Sequence, residues 1–218
     1  MPDSDGIRAA RVVRLGILVS GRGSNLQAIL DAIADRRLAA MVGAVVSDRE
    51  NALALDRAQA AGIPTVVLSP RAFPTREAFD AQIVNILRDS GVDLVVLAGY
   101  MRIITPALLH AFPDHVINIH PSLLPAFPGL NAQRQALEHG VKVAGCTVHF
   151  VNEQVDSGAI ILQAAVPVLE DDTEETLSQR ILDQEHRLLP QAIQLYAEGR
   201  LTIHGRRVRL APNAHVMR

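Results

Sequence analysis

The chain contains no tryptophan, only two tyrosines and five phenylalanines, and a single cysteine, Cys146. One cysteine excludes an intrachain disulfide and any cysteine-cluster metal site, and it fits a reducing compartment. Long apolar runs are missing too: none approaches the roughly 18–20 residues of a membrane-spanning helix. The opening MPDSDGIRAARVVR lacks the apolar stretch of about 7–15 residues that marks a secretory signal. A soluble, cytoplasmic protein is the expectation. Nor is there an excess of one charge: 21 basic against 23 acidic residues give a net −2, and without a cationic field nucleic acid is a poor candidate partner. The histidines His115, His120, His139 and His149 show neither HExxH nor Cys/His spacing, so no metal is expected. The GxSxG elbow of serine hydrolases and the Gly-Lys-Ser/Thr of a P-loop are absent as well.

What is present is enough apolar chain for a core, 49% hydrophobic over 218 residues. Apolar β-branched runs at 14–20, 41–47, 65–68, 92–98 and 116–120 alternate with helically spaced stretches at 24–36, 52–61, 75–90 and 106–112. That alternation predicts a buried parallel sheet. From Pro121 onward three prolines, Pro121 included, fall within eight residues, which predicts an ordered loop or linker. A helix at 132–139 follows, then strand-like runs at 143–151 and 159–167, read as antiparallel additions to the sheet. A long last helix is expected from Asp172 or Thr173 to about Glu198, with a capping-box glutamate at its start and Gly199 as its stop. The tail 201–210 reads as a hairpin around His204-Gly205. The predicted fold is therefore α/β: a Rossmann-like, doubly wound, mostly parallel sheet with antiparallel strands added in the C-terminal half. No linker or repeat divides it, so 1–218 is expected to be a single domain.

Five stretches suggest chemistry. Ser20-Gly21-Arg22-Gly23-Ser24-Asn25-Leu26 lies where a strand hands over to a helix, a place whose unpaired N–H groups suit a phosphate. Leu26 occupies the third glycine position of the dinucleotide fingerprint, which favours a monophosphate held by backbone amides with Ser24 and Asn25 over a dinucleotide; a plain helix cap is the alternative. In Asn118-Ile119-His120-Pro121, alternation sends Asn118 and His120 to one face at a strand's carboxyl end. An amide and an imidazole there suit oxyanion stabilisation and proton donation. Asp156-Ser157-Gly158 reads first as a turn; folded against His120, the carboxylate would raise the imidazole pKa. Gly99-Tyr100-Met101-Arg102-Ile103-Ile104 would form either a pocket for a flat heteroaromatic ligand or an ordinary strand-to-helix loop. Gln184-Glu185-His186 falls mid-helix and would show Glu185 to a bound amine or simply to solvent.

The order of these motifs resembles the phosphoribosylglycinamide formyltransferase (glycinamide ribonucleotide transformylase) family of the folate-dependent formyltransferase superfamily, from about Leu15 to about Leu201. The resemblance implies that Gly23, Ser24 and Asn25 hold the phosphate of the ribonucleotide glycinamide ribonucleotide, and that Glu185 lies near its glycinamide end. It further implies that Arg76, Met101, Arg102, Ile103, Ile104 and Asn118 contact 10-formyltetrahydrofolate, a co-substrate consumed in each turnover. Asn118, His120 and Asp156 are implied as the catalytic set, with Asp156 raising the His120 pKa. Ala126 and Leu182 depart from the polar residues many relatives carry, and both departures bear on acceptor affinity. The implied division is a phosphate-binding part at about 14–115 and a catalytic, folate-binding part at about 116–203. Small-molecule partners are implied, with a monomer or homodimer as the assembly and no membrane or nucleic acid. The rival readings are a formyltetrahydrofolate hydrolase, which usually carries an extra N-terminal domain, a methionyl-tRNA formyltransferase, which needs a C-terminal RNA-binding domain, and a noncatalytic sensor of phosphorylated nucleotides.

Overall fold

The runs that are apolar on both sides of their pleat form the middle of one sheet. The computed structural model describes residues 12–212. Strands β1 (Val13–Val19), β2 (Ala40–Ser47), β3 (Thr65–Val67), β4 (Leu94–Leu97) and β5 (Val116–His120) run parallel, and β6 (Val143–Phe150) and β7 (Ile160–Pro167) continue the sheet antiparallel. The hairpin β8 (Leu201–His204) and β9 (Arg207–Leu210) completes the order β3-β2-β1-β4-β5-β6-β7-β9-β8. The expected architecture is met, including the terminal hairpin.

Alternation along the strands feeds two apolar layers. Leu15, Ile17 and Val19 pack with α1 (Ser24–Ala34) and α6 (Glu174–Ala197) on one face. Leu18, Val46, Val95 and Leu97 pack with α3 (Arg76–Asp89) and α4 (Pro106–Ala111) on the other. Helices α2 (Leu53–Ala60) and α5 (Ala132–Glu138) are short flanking elements. The start of α6 differs from the expected glutamate box. Thr173 is the N-cap and accepts from the Thr176 N–H, while the Thr176 hydroxyl oxygen accepts from the Thr173 N–H. Thr176 occupies the third helical position, so the reciprocal pair is Thr–Thr. Asp172 instead takes a two-pronged bond from Arg180 at 2.7 and 2.9 Å.

Strand order reverses between β1 and β4, and there the chain segments that follow the two strands meet. The Ser20 N–H donates to Gly99 O at 3.2 Å, and the Met101 N–H donates to Ser20 Oγ at 2.9 Å. The candidate phosphate loop and the candidate ligand loop are thus stitched together at the sheet's switch point.

Candidate active site

Asn118 and His120 leave β5 on one face, as alternation requires, and β6 lies beside them with His149 opposite Asn118 and Thr147 opposite His120. The turn after β6 starts next to the beginning of β5, where the Val151 N–H donates to Val116 O. It then folds back over the sheet and carries Asp156 to the level of the two histidines. Asp156 Oδ2 lies 3.4 Å from His120 Nδ1, and Oδ1 lies 3.6 Å from His149 Nε2. The expected meeting of Asn118, His120 and Asp156 is therefore present, and His149 joins it. In the sequence His149 is marked only by the polar Thr147 and His149 lying two apart in an otherwise apolar strand.

The hydrogen bonds assign the protons. His120 Nε2 lies 2.9 Å from the Phe127 carbonyl, which can only accept, so Nε2 carries a hydrogen. Nδ1 then faces a carboxylate, a contact that is attractive when Nδ1 is protonated as well. His149 donates from Nδ1 to Phe150 O at 2.9 Å; Nε2 of the neutral ring accepts from Asn118 Nδ2 at 3.2 Å, and when protonated it donates towards Asp156 Oδ1 instead. Asp156 Oδ2 also accepts from the Gly129 N–H at 2.7 Å.

Burial is the largest influence on His120 and lowers its pKa; the Phe127 carbonyl and Asp156 push it up, His149 pushes it down, and the balance lies below the ordinary imidazole value. The carboxylate acts in the expected direction, but withdrawing the ring from water costs its charged form more. Asp156 itself is raised by burial, yet bonds from His149 and Gly129 together with both imidazole charges bring it below the ordinary carboxylate range.

Gly23 caps α1 at φ 71°, and a Cβ there would come within 2.6 Å of Ala54 Cα. Both facts require glycine. The first hydrogen bond inside α1 runs from the Gln27 N–H to Gly23 O, so the N–H groups of Ser24, Asn25 and Leu26 start the helix before its own bonding begins. Asn25 is turned inward: only 7% exposed, it donates from Nδ2 to Glu185 Oε2 at 2.7 Å. Ser24 and the backbone, more than the Asn25 side chain, face outward at this helix start. Glu185 is equally buried rather than part of a solvated helix face, and burial pushes its pKa up to about 7 against the pull of Asn25.

A cavity of about 340 Å³ opens beside His120 and Asn118. Its walls include Tyr100, Met101, Arg102, Ile103 and Ile104 on one side and Gly129, Leu130 and the turn with Asp156 on the other. Met101 and Ile103 are each 58% exposed, Ile104 is buried, and Arg102 lies over the Phe79 ring at 5.2 Å. Arg76 does not line the cavity; its Nη2 donates to Ile103 O at 2.7 Å and braces this wall from behind. No group of three or more potential metal-ligating side chains occurs among the described residues.

A doubly wound sheet that gathers an amide, an imidazole and a carboxylate beside a cavity at the carboxyl ends of β4 and β5 has the parts of a group-transfer site. The chain belongs to the formyl transferase family, whose model matches residues 13–193. It resembles a crystal structure of glycinamide ribonucleotide transformylase 1 from Symbiobacterium toebii at 60% identity and a TM-score of 0.91, covering 92% of this chain and 95% of that one. It is 46% identical over 188 residues to phosphoribosylglycinamide formyltransferase of Escherichia coli, covering 86% of this chain and 89% of that protein. It is also 50% identical over 190 residues to the trifunctional purine biosynthetic protein adenosine-3 of Drosophila pseudoobscura pseudoobscura. There the alignment covers 86% of this chain but only 14% of that much longer protein.

Proposed function

We propose that the chain transfers the formyl group of 10-formyltetrahydrofolate to the amine of glycinamide ribonucleotide, a step of purine biosynthesis. The observation that carries the reading is the convergence of Asn118, His120 and Asp156 beside a cavity in a member of the formyl transferase family. The folate lies along Met101, Arg102, Ile103 and Ile104, with Arg76 bracing that wall, and its formyl group meets Asn118. The acceptor phosphate sits at Gly23 and Ser24, and its glycinamide end approaches Asn25 and Glu185. In this reading 1–218 is one domain, with the phosphate held in 14–115 and the chemistry in 116–203; the folate cavity draws walls from both parts.

The amine lone pair attacks the formyl carbon, and the carbonyl pair moves onto oxygen. Nε2 of His120 is committed to Phe127, so in the imidazolium form, which the Asp156 charge favours, the Nδ1 hydrogen with its longer 3.4 Å contact to Asp156 is the one that turns to the developing oxyanion. Asn118 supplies a second donor; losing one such donor typically costs about 2.7–4 kcal/mol. Asp156 accepts a proton from the attacking nitrogen; the oxyanion then re-forms the carbonyl, and the folate nitrogen leaves with the C–N pair and takes the proton that Asp156 returns. These side chains suffice without a resident metal, and the partners are small molecules.

The test is a deformylation assay followed by the absorbance of the folate, with and without glycinamide ribonucleotide. Acceptor-dependent loss of the formyl group is expected. Acceptor-independent loss would make the chain a hydrolase, and no loss would leave only a phosphate-binding protein. His120→Ala is expected to lower turnover about 10²-fold or more with little change in acceptor binding; near-normal turnover would overturn the assignment.

A further inference from the structure

We propose that Thr147 is a positioning residue of the reaction, whose buried hydroxyl locks the loop 121–129 in the shape that holds the Phe127 carbonyl on His120 Nε2 and the Gly129 N–H on Asp156. The inference deepens the reading above and rests on it only for the activity readout.

Thr147 is completely buried in β6, directly opposite His120. Its hydroxyl donates to Ser122 O at 2.6 Å. The same oxygen accepts from the Leu124 N–H at 3.0 Å and from Gln163 Nε2 on β7 at 2.9 Å. A hydroxyl has one proton and two lone pairs, so this one is fully used, and two of its three partners are backbone groups of the loop. Gln163 reinforces the clamp by donating to Leu124 O at 2.9 Å. The loop relays it: Ser122 Oγ donates to Ala126 O at 2.6 Å, and the Ala126 N–H donates to Leu123 O.

The loop needs such a clamp because Pro121, Pro125 and Pro128 provide no N–H groups and the segment contains no helix or strand. Phe127 also sits at φ 52°, a backbone conformation that side chains other than glycine rarely adopt. Such a residue keeps its conformation when its surroundings hold it, and its carbonyl is the group that orients the imidazole. A Cβ at Gly145 would come within 2.8 Å of Leu123 Cδ2, which shows how closely β6 is pressed beneath the loop.

The groups facing the imidazole are Asp156 from the turn, His149 from β6 and the Phe127 carbonyl from the loop. The carbonyl favours the protonated ring, so loosening the loop lowers the His120 pKa. Proton NMR of His120 is titrated in the substrate-free wild type, in Thr147→Val, which keeps the shape and loses the hydroxyl, and in Thr147→Ser, which restores it. Thr147→Val is expected to lower the midpoint by about half a pH unit or more, with Thr147→Ser returning it towards wild type. In turnover, Thr147→Val is expected to lower kcat about 10-fold at neutral pH, with acceptor KM within about 2-fold. A folded Thr147→Val with the wild-type midpoint overturns the proposal, whatever its kcat, because a merely structural role would leave His120 unmoved. Should Thr147→Val not fold, Gln163→Leu on the exposed side of the clamp carries the same test, with a smaller shift expected and no shift overturning it. The titration needs no substrate, so it stands apart from any failure of the formyl-transfer assay.

Discussion

Asn118 and His149 face each other across the antiparallel β5–β6 pair, with Asn118 Nδ2 3.2 Å from His149 Nε2. Because His149 spends its Nδ1 hydrogen on Phe150 O, Nε2 of the neutral ring holds the carboxamide in one of its two possible orientations. The nitrogen of Asn118 is thereby kept on the His149 side, with a second N–H left for a ligand.

Replacing His149 with Leu removes that acceptor while keeping the bulk. Turnover is expected to fall about 10-fold. Steady-state kinetics of Asn118→Ala, His149→Leu and the double variant provide the check: if His149 acts by orienting Asn118, the two losses are markedly less than additive. Full additivity would separate the two residues.

For Asp156→Asn the expected outcome is a shift of the pH profile as well as a loss of rate. The Asp156 charge acts to raise the His120 pKa, so removing it leaves the ring protonated only at lower pH. The limb on which kcat falls with rising pH should move to lower pH, and the loss at neutral pH should reach about 10²-fold. A profile unmoved along the pH axis would separate Asp156 from the titration of His120.

The buried Glu185 makes stability depend on pH in a predictable direction. Its folded pKa, about 7, lies above the ordinary 4.5, so the neutral form favours folding below about 4.5 and the contribution is lost as pH rises through 7. Glu185→Gln, neutral at every pH, should therefore gain on the wild type across that window, by up to roughly 3 kcal/mol on the alkaline side. Denaturant midpoints of the two proteins across pH test this; parallel curves would refute it.

Gly23→Ala is expected to destabilise the fold by about 1–3 kcal/mol and to weaken the acceptor KM more than the folate KM. The new Cβ meets Ala54 and the positive φ disfavours it. Thermal melts and the two KM values check this, and equal effects on both substrates would detach Gly23 from the acceptor.

The parallel core and the carboxyl-edge placement of Asn118 and His120 were legible because both follow from period-two alternation within one short segment. Asp156 was legible through the resemblance, since nothing in Asp156-Ser157-Gly158 reveals that the turn folds back over the sheet. His149, Thr147 and the Phe127 carbonyl depend on the β5–β6 register and on a loop's shape, which a linear pattern does not encode. The burial of Glu185 was hidden for the same reason: Asn25, its partner, lies 160 positions away in the chain. The strength of desolvation at His120 was likewise invisible, because it depends on how completely the cleft shuts out water.

The terminal hairpin joins the sheet through a single pairing, Ile160 of β7 with Arg207 of β9. Beyond that point the outer rim of β7 carries backbone groups with no neighbouring strand among the described residues, and Pro167 at its end lacks the N–H that would extend a ladder. The hairpin thus caps one end of an otherwise open border, and a chain trimmed after α6 would bare the whole rim as a template for strand addition by a second molecule.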